Sequence, residues 1–111
     1  LALAAITDLA RYPRDNPDCG AAIPALRGPA RLDEVSPLQM LPAAAPVTLI
    51  TAEGDLIVPP SQATAYAQAA SAAGASAGQR SIPGDHFALV EPEGAGLQAI
   101  LSELKLVAGQ R

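Results

Sequence analysis

The chain contains one histidine, His86, in the run Gly84-Asp85-His86-Phe87. Imidazole is the side chain best suited to exchange a proton near neutral pH, so its partners decide what it can do. Upstream, Asp55 stands in the turn Glu53-Gly54-Asp55-Leu56, just before Val58-Pro59. A carboxylate that orients an imidazole lets the ring accept a proton from a nucleophile, and such a pair is two-thirds of a hydrolytic triad. The string G-x-S-x-G, which can carry a nucleophilic serine, is present as Gly74-Ala75-Ser76-Ala77-Gly78. Its context is wrong for that task. A serine displayed for attack needs a sharp strand-to-helix turn, whereas Ser76 follows a helix pattern and precedes a strand. Ser76 is expected at the start of a strand whose far end delivers His86, roughly 17 to 20 Å away for five or six extended residues. The string therefore reads as a helix-to-strand loop. Asp85 reads as a turn residue, because adjacent loop side chains point in different directions. Phe87 is expected to pack beside His86, and Asp8 to cap or anchor the end of its strand. Cys19, in a Pro/Asp loop with no histidine near it in sequence, reads as a bystander.

The elements that must position Asp55 and His86 follow from the apolar patterning. Pro46 to Ala52 (PVTLITA) is a β-branched apolar run bounded by proline and by Glu53-Gly54-Asp55, as expected of a parallel strand buried on both faces. Ser61 to Ala73 predicts an Ala-rich helix after Pro59-Pro60, with Ser61 available as a cap and Gly74 in the usual position past its end. Gln79 to Pro83 predicts a second strand. From Gly94 to Val107 the residues Leu97, Ile100, Leu101, Leu104 and Val107 recur at helical spacing, so this stripe of a closing amphipathic helix is expected to contact the core. Leu1 to Thr7 predicts a short strand. Arg11 to Ala30, with Pro13, Pro17, Pro24 and Pro29, predicts irregular connections, and Asp33 to Ser36 a single helical turn ended by Pro37.

Strand, helix, strand, helix is a parallel βαβ unit with a trailing helix, so the fold class is α/β. A right-handed crossover makes the two strands parallel. If they are neighbours, Asp55 and His86 leave the same edge of the sheet about 5 Å apart.

The run GDLIVPPSQATAYAQAASAAG followed by IPGDHFALVEP resembles the C-terminal third of α/β-hydrolase esterases and lipases. In that family a G-x-x-D turn before V-P carries the acid, and a helix and a strand later G-x-H-F carries the base. More weakly, Ala5-Ile6-Thr7-Asp8-Leu9 looks like the family's strand after the nucleophile helix. Ser36-Pro37-Leu38 looks like the stretch before the acid-bearing strand. Ala52 stands where the family usually has Gly. The resemblance implies that Asp55 is the acid and His86 the base of a Ser-Asp-His triad that cleaves carboxylic esters through an acyl-enzyme, without cofactor or metal. It also implies a small-molecule ester substrate, and a nucleophile and oxyanion donors upstream of Leu1.

The chain begins at Leu1 and opens like mid-domain sequence, so it is expected to be the C-terminal portion of an α/β-hydrolase fold within a longer polypeptide. Residues 1–45 form a strand and a Pro-rich connection, and 46–111 the segment bearing the acid and the histidine. The alternative is a non-catalytic, hydrolase-derived binding or structural module.

Composition narrows the remaining classes. The 111 residues include 25 alanines and only three aromatics, so large core side chains are few. Seven Lys and Arg against eleven Asp and Glu give a net charge of -4, with no basic run to meet a nucleic-acid backbone. One Cys and one His are too few for a usual structural zinc site and allow no internal disulfide. No apolar stretch approaches the ~20 residues of a membrane span, and Leu1 to Ala10 lacks the features of a signal peptide, which leaves the cytoplasm as the default expectation.

Overall fold

Val47–Ala52 forms β2, the centre of a three-stranded parallel sheet in a computed structural model that describes residues 1–109. On one side lies β1, Ala2–Leu3, paired through Ala2 with Leu49 and Leu3 with Ile50. On the other lies β3, Ala77–Ile82, in unbroken register from Val47 opposite Ala77 to Ala52 opposite Ile82. The β-branched and apolar residues of β2 face helices on both sides, as its composition predicts. Leu49 packs with Ala63, Tyr66 and Ala70 of the helix α5, Ser61–Ala72. Ile50 and Ala52 point the other way, onto Leu89 and Ala99, because successive strand residues alternate faces. Ala99 belongs to the closing helix α6, Ala95–Gly109. The parallel sheet, its crossover helix and the C-terminal helix are thus the α/β arrangement expected from the sequence.

Several boundaries differ. β3 starts at Ala77 rather than Gln79, since the Val47 N–H bonds to the Ser76 carbonyl (3.1 Å) and carries the pairing two residues further back. The first strand covers only Ala2–Leu3. Its ladder ends with the Ala4 N–H on the Ile50 carbonyl (3.0 Å), and the left-handed Ala4 (φ 44°) turns the chain away. Ala5 to Leu9 is accordingly a loop, not the strand that the resemblance suggests. Ser61 does not cap α5. Pro60 occupies that place, with no side-chain cap, and the Gln62 N–H bonds back to the Pro59 carbonyl. Gly74 does follow the helix in the left-handed region, with φ 76°.

The Pro-rich segment holds three short helices, α1 (Tyr12–Asp15), α2 (Pro17–Gly20) and α3 (Ile23–Arg27). Each has a proline in its first turn, where the missing N–H has no intrahelical acceptor to lose. α4 (Leu32–Val35) and a 3-10 turn at Pro37–Met40 lead back to β2.

α6 corrects the expected apolar stripe. Its buried residues are Gly96 and Ala99, and of the expected stripe Ile100 does pack against the core, while Leu101, Leu104 and Val107 are 42%, 49% and 49% exposed. The cause is close approach: a Cβ on Gly96 would stand 2.6 Å from the Ala88 carbonyl oxygen, so the helix meets its neighbours through its small residues. No described helix is long and apolar enough to cross a membrane.

Candidate active site

The two turns beyond the C-terminal ends of β2 and β3 are joined by backbone bonds. The Glu53 N–H donates to the Ile82 carbonyl and the Gly54 N–H to the Gly84 carbonyl, both at 2.9 Å. Gly84 has φ 103°, a conformation that disfavours any side chain, and this lets the chain reverse before His86. Asp85 then closes the turn. Its Oδ1 accepts from the Phe87 and Ala88 N–H groups at 3.0 and 3.2 Å and starts the 3-10 segment His86–Val90. Asp85 is therefore the turn residue that its position predicts.

Asp55 Oδ2 lies 2.7 Å from His86 Nδ1. The contact expected from adjacent parallel strands is formed. The Asp55 side chain is 1% exposed and that of His86 28%. Asp55 Oδ1 is fully engaged as well, accepting the Ile57 and Val58 N–H groups, each at 2.9 Å. A carboxylate has no proton to donate, so Nδ1–H is the donor to Oδ2 and the lone pair of the neutral ring sits on Nε2. That is the tautomer a general base needs. The Phe87 ring stands edge-on to the imidazole, with centroids 5.4 Å apart.

Two small hollows flank this ring pair. One, of about 220 Å³, lies between Leu56, Ile57 and His86; the other, of about 190 Å³, between Leu3, Ala4 and His86. Each is smaller than the roughly 300 to 1,000 Å³ of a complete small-molecule pocket. Their walls include the exposed apolar side chains of Leu56 and Phe87.

Ser76 is not part of the site. It precedes the first residue of β3, at the sheet edge opposite His86, and its carbonyl serves the β2–β3 ladder. Cys19 is exposed in α2, and Asp8 accepts the Arg11 N–H (3.1 Å) at the entrance to α1. Among the described residues no group of three or more His, Cys, Asp and Glu is arranged to hold a metal ion.

Sequence reasoning missed the residues that support the Asp55 turn. The Tyr12 hydroxyl donates to the Ile57 carbonyl at 2.9 Å, and Asn16 Nδ2 donates to the same oxygen at 3.1 Å. Burial, then the neighbouring Cys19 and Asp55, push the Tyr12 hydroxyl above its ordinary pKa and keep it a donor. Gln62, buried in the first turn of α5, accepts the Thr7 and Asp8 N–H groups at 3.0 and 2.8 Å and donates to Asp15 Oδ2 at 2.8 Å. It thereby ties α5 to the exit of β1 and to α1. Composition signals only Asn16, the single asparagine; Tyr12 is one of two tyrosines and Gln62 one of six glutamines. No protein-family model matches the chain, and no curated protein matches it in sequence.

Proposed function

We propose that the chain supplies the acid and the base of a serine hydrolase that cleaves carboxylic esters, as the C-terminal portion of an α/β-hydrolase fold. The observation that carries this reading is the 2.7 Å contact between Asp55 Oδ2 and His86 Nδ1, made by a carboxylate whose other oxygen is held by two backbone N–H groups. In the proposed mechanism a serine upstream of Leu1 attacks the ester carbonyl carbon while His86 Nε2 takes the proton from its Oγ. Asp55 stabilises the imidazolium through Nδ1–H. As the tetrahedral intermediate collapses, the departing alkoxide receives the proton from Nε2 and leaves as the alcohol. Water then attacks the acyl-enzyme with the same base, releasing the acid and restoring the serine. Oxyanion donors, also upstream, stabilise the tetrahedral charge.

The test is labelling of the full polypeptide with a fluorophosphonate, followed by peptide mapping. Label on one serine upstream of Leu1, abolished in His86→Ala, is the expected result. Labelling of Ser76, or labelling indifferent to His86, would refute the assignment.

A further inference from the structure

Asp55 is aimed by more than its own turn. The Ile57 carbonyl oxygen, which accepts from Tyr12 and Asn16, belongs to the same peptide group as the Val58 N–H that donates to Asp55 Oδ1. A hydrogen bond to the oxygen of an amide draws charge through the group and strengthens its N–H as a donor. We infer that Tyr12 and Asn16 are positioning residues for the Asp55–His86 pair, acting through the Ile57–Val58 peptide; the inference rests on the reading of Asp55 and His86 as the working acid and base.

Both donors are prepared for this task. Tyr12 is 1% exposed, and its raised pKa keeps the hydroxyl protonated. The Asn16 amide has one available orientation, because its Oδ1 accepts the Cys19 N–H at 3.1 Å as the cap of α2 and leaves Nδ2 to face Ile57. Tyr12 begins α1 and Asn16 joins α1 to α2, so one compact piece of the Pro-rich segment delivers both bonds. Asp55 Oδ1 takes its second bond from Ile57 N–H, which lies in the preceding peptide. The network therefore grips the carboxylate through two consecutive peptide groups. Oδ2 is left for the imidazole.

The experiment uses the full polypeptide carrying Tyr12→Phe, Asn16→Ser or both. Phenylalanine keeps the packed ring, and serine keeps an oxygen able to cap α2. Each single change is expected to lower kcat about two- to tenfold, the scale of one neutral hydrogen bond. KM should stay unchanged, and the double variant should fall further. In an Asp55→Asn background the same changes should cost nothing more. The His86 Nδ1–H proton resonance should broaden in the double variant. Losses that persist undiminished in the Asp55→Asn background, or appear only in KM, overturn the inference, as does a double variant with unchanged kcat and resonance. If the unmodified polypeptide hydrolyses no ester, the hydrolase reading fails and the resonance alone decides: broadening upholds the positioning role, and an unmoved signal ends it.

Discussion

The Gly54 N–H donates to the Gly84 carbonyl at 2.9 Å, and this bond ties the turn that carries Asp55 to the turn that carries His86. The two residues lie beyond the ends of different strands, yet their side chains meet because their turns are fastened together. The approach of the two turns is therefore a backbone property, and the network around the Asp55 carboxylate acts within it.

Gly84→Ala is expected to break that alignment. Its φ of 103° is one that L side chains rarely adopt, and the new Cβ would stand 2.7 Å from Ala88 Cβ. Strain of this kind costs about 1 to 3 kcal/mol, and the clash pushes on the segment carrying His86. Gly74→Ala is the control. It has φ 76° with nothing within 4 Å of the new methyl, so it should carry only the left-handed backbone cost, about 1 to 2 kcal/mol, without a clash. Urea midpoints should rank Gly84→Ala below Gly74→Ala, and only the former should displace the His86 Nδ1–H resonance. Equal effects at the two glycines would show that the clash is absorbed.

Gln62 makes a different prediction. In Gln62→Glu one carboxylate oxygen can still accept the Thr7 and Asp8 N–H groups, but the other replaces the amide that now donates to Asp15 Oδ2 at 2.8 Å. Two carboxylates then face each other beside a buried position. A loss of about 2 kcal/mol or more in unfolding free energy is expected, since a hydrogen bond is replaced by like charges at short range. Asp15→Asn should restore most of it, although that change also removes the charge from the partner of Arg11. A double variant no more stable than Gln62→Glu alone would count against this account.

How far the fold could be foreseen follows from the range of the contacts involved. The β2–α5–β3–α6 order was legible because each element carries its own periodicity and punctuation, and the Asp55–His86 contact follows from two neighbouring strands in one crossover unit. Tyr12 and Asn16 act on Ile57, more than forty positions away, and Gln62 acts on Thr7 at a separation of 55. No local pattern encodes such pairs. The apolar stripe of α6 misled for another reason. Periodicity shows which residues share a face of the helix, but the backbone approach at Gly96 decides which arc lies against its neighbours.

Tyr12 predicts a pH dependence of stability. Its hydroxyl titrates above the ordinary value of 10.0 in the folded chain, chiefly through burial. The unfolded chain releases that proton first, so between the two values the folded state binds more protons and stability falls as pH rises. The contribution is fully present below about pH 10 and is lost as pH rises through the raised folded value. Tyr12→Phe should be less stable by about 0.5 to 1.5 kcal/mol at neutral pH, for the lost bond to Ile57. It should also lack this alkaline slope, so the two urea-midpoint curves converge above pH 10. Curves that stay parallel from pH 8 to 11 would contradict the assignment.

Asp55→Asn gives the most direct reading of the pair. The turn dictates how asparagine sits, because the Ile57 and Val58 N–H groups both point at the position of Oδ1 and require an acceptor there. The carboxamide oxygen takes that place and the NH₂ group faces His86 Nδ1 at the position of Oδ2. A neutral imidazole can meet this donor only with the Nδ1 lone pair, which moves its proton to Nε2. The nitrogen that accepts the serine proton in the proposed mechanism is then already protonated. The fold should persist with a near-native urea midpoint, since size and shape are conserved, while kcat falls by a factor on the order of 10⁴, as for a triad left in the wrong tautomer. Nitrogen-15 shifts of the labelled ring supply the check that a rate alone cannot, with the proton expected on Nδ1 in the parent and on Nε2 in the variant. A variant that keeps the proton on Nδ1, or that retains full activity with it on Nε2, would remove Asp55 from the mechanism.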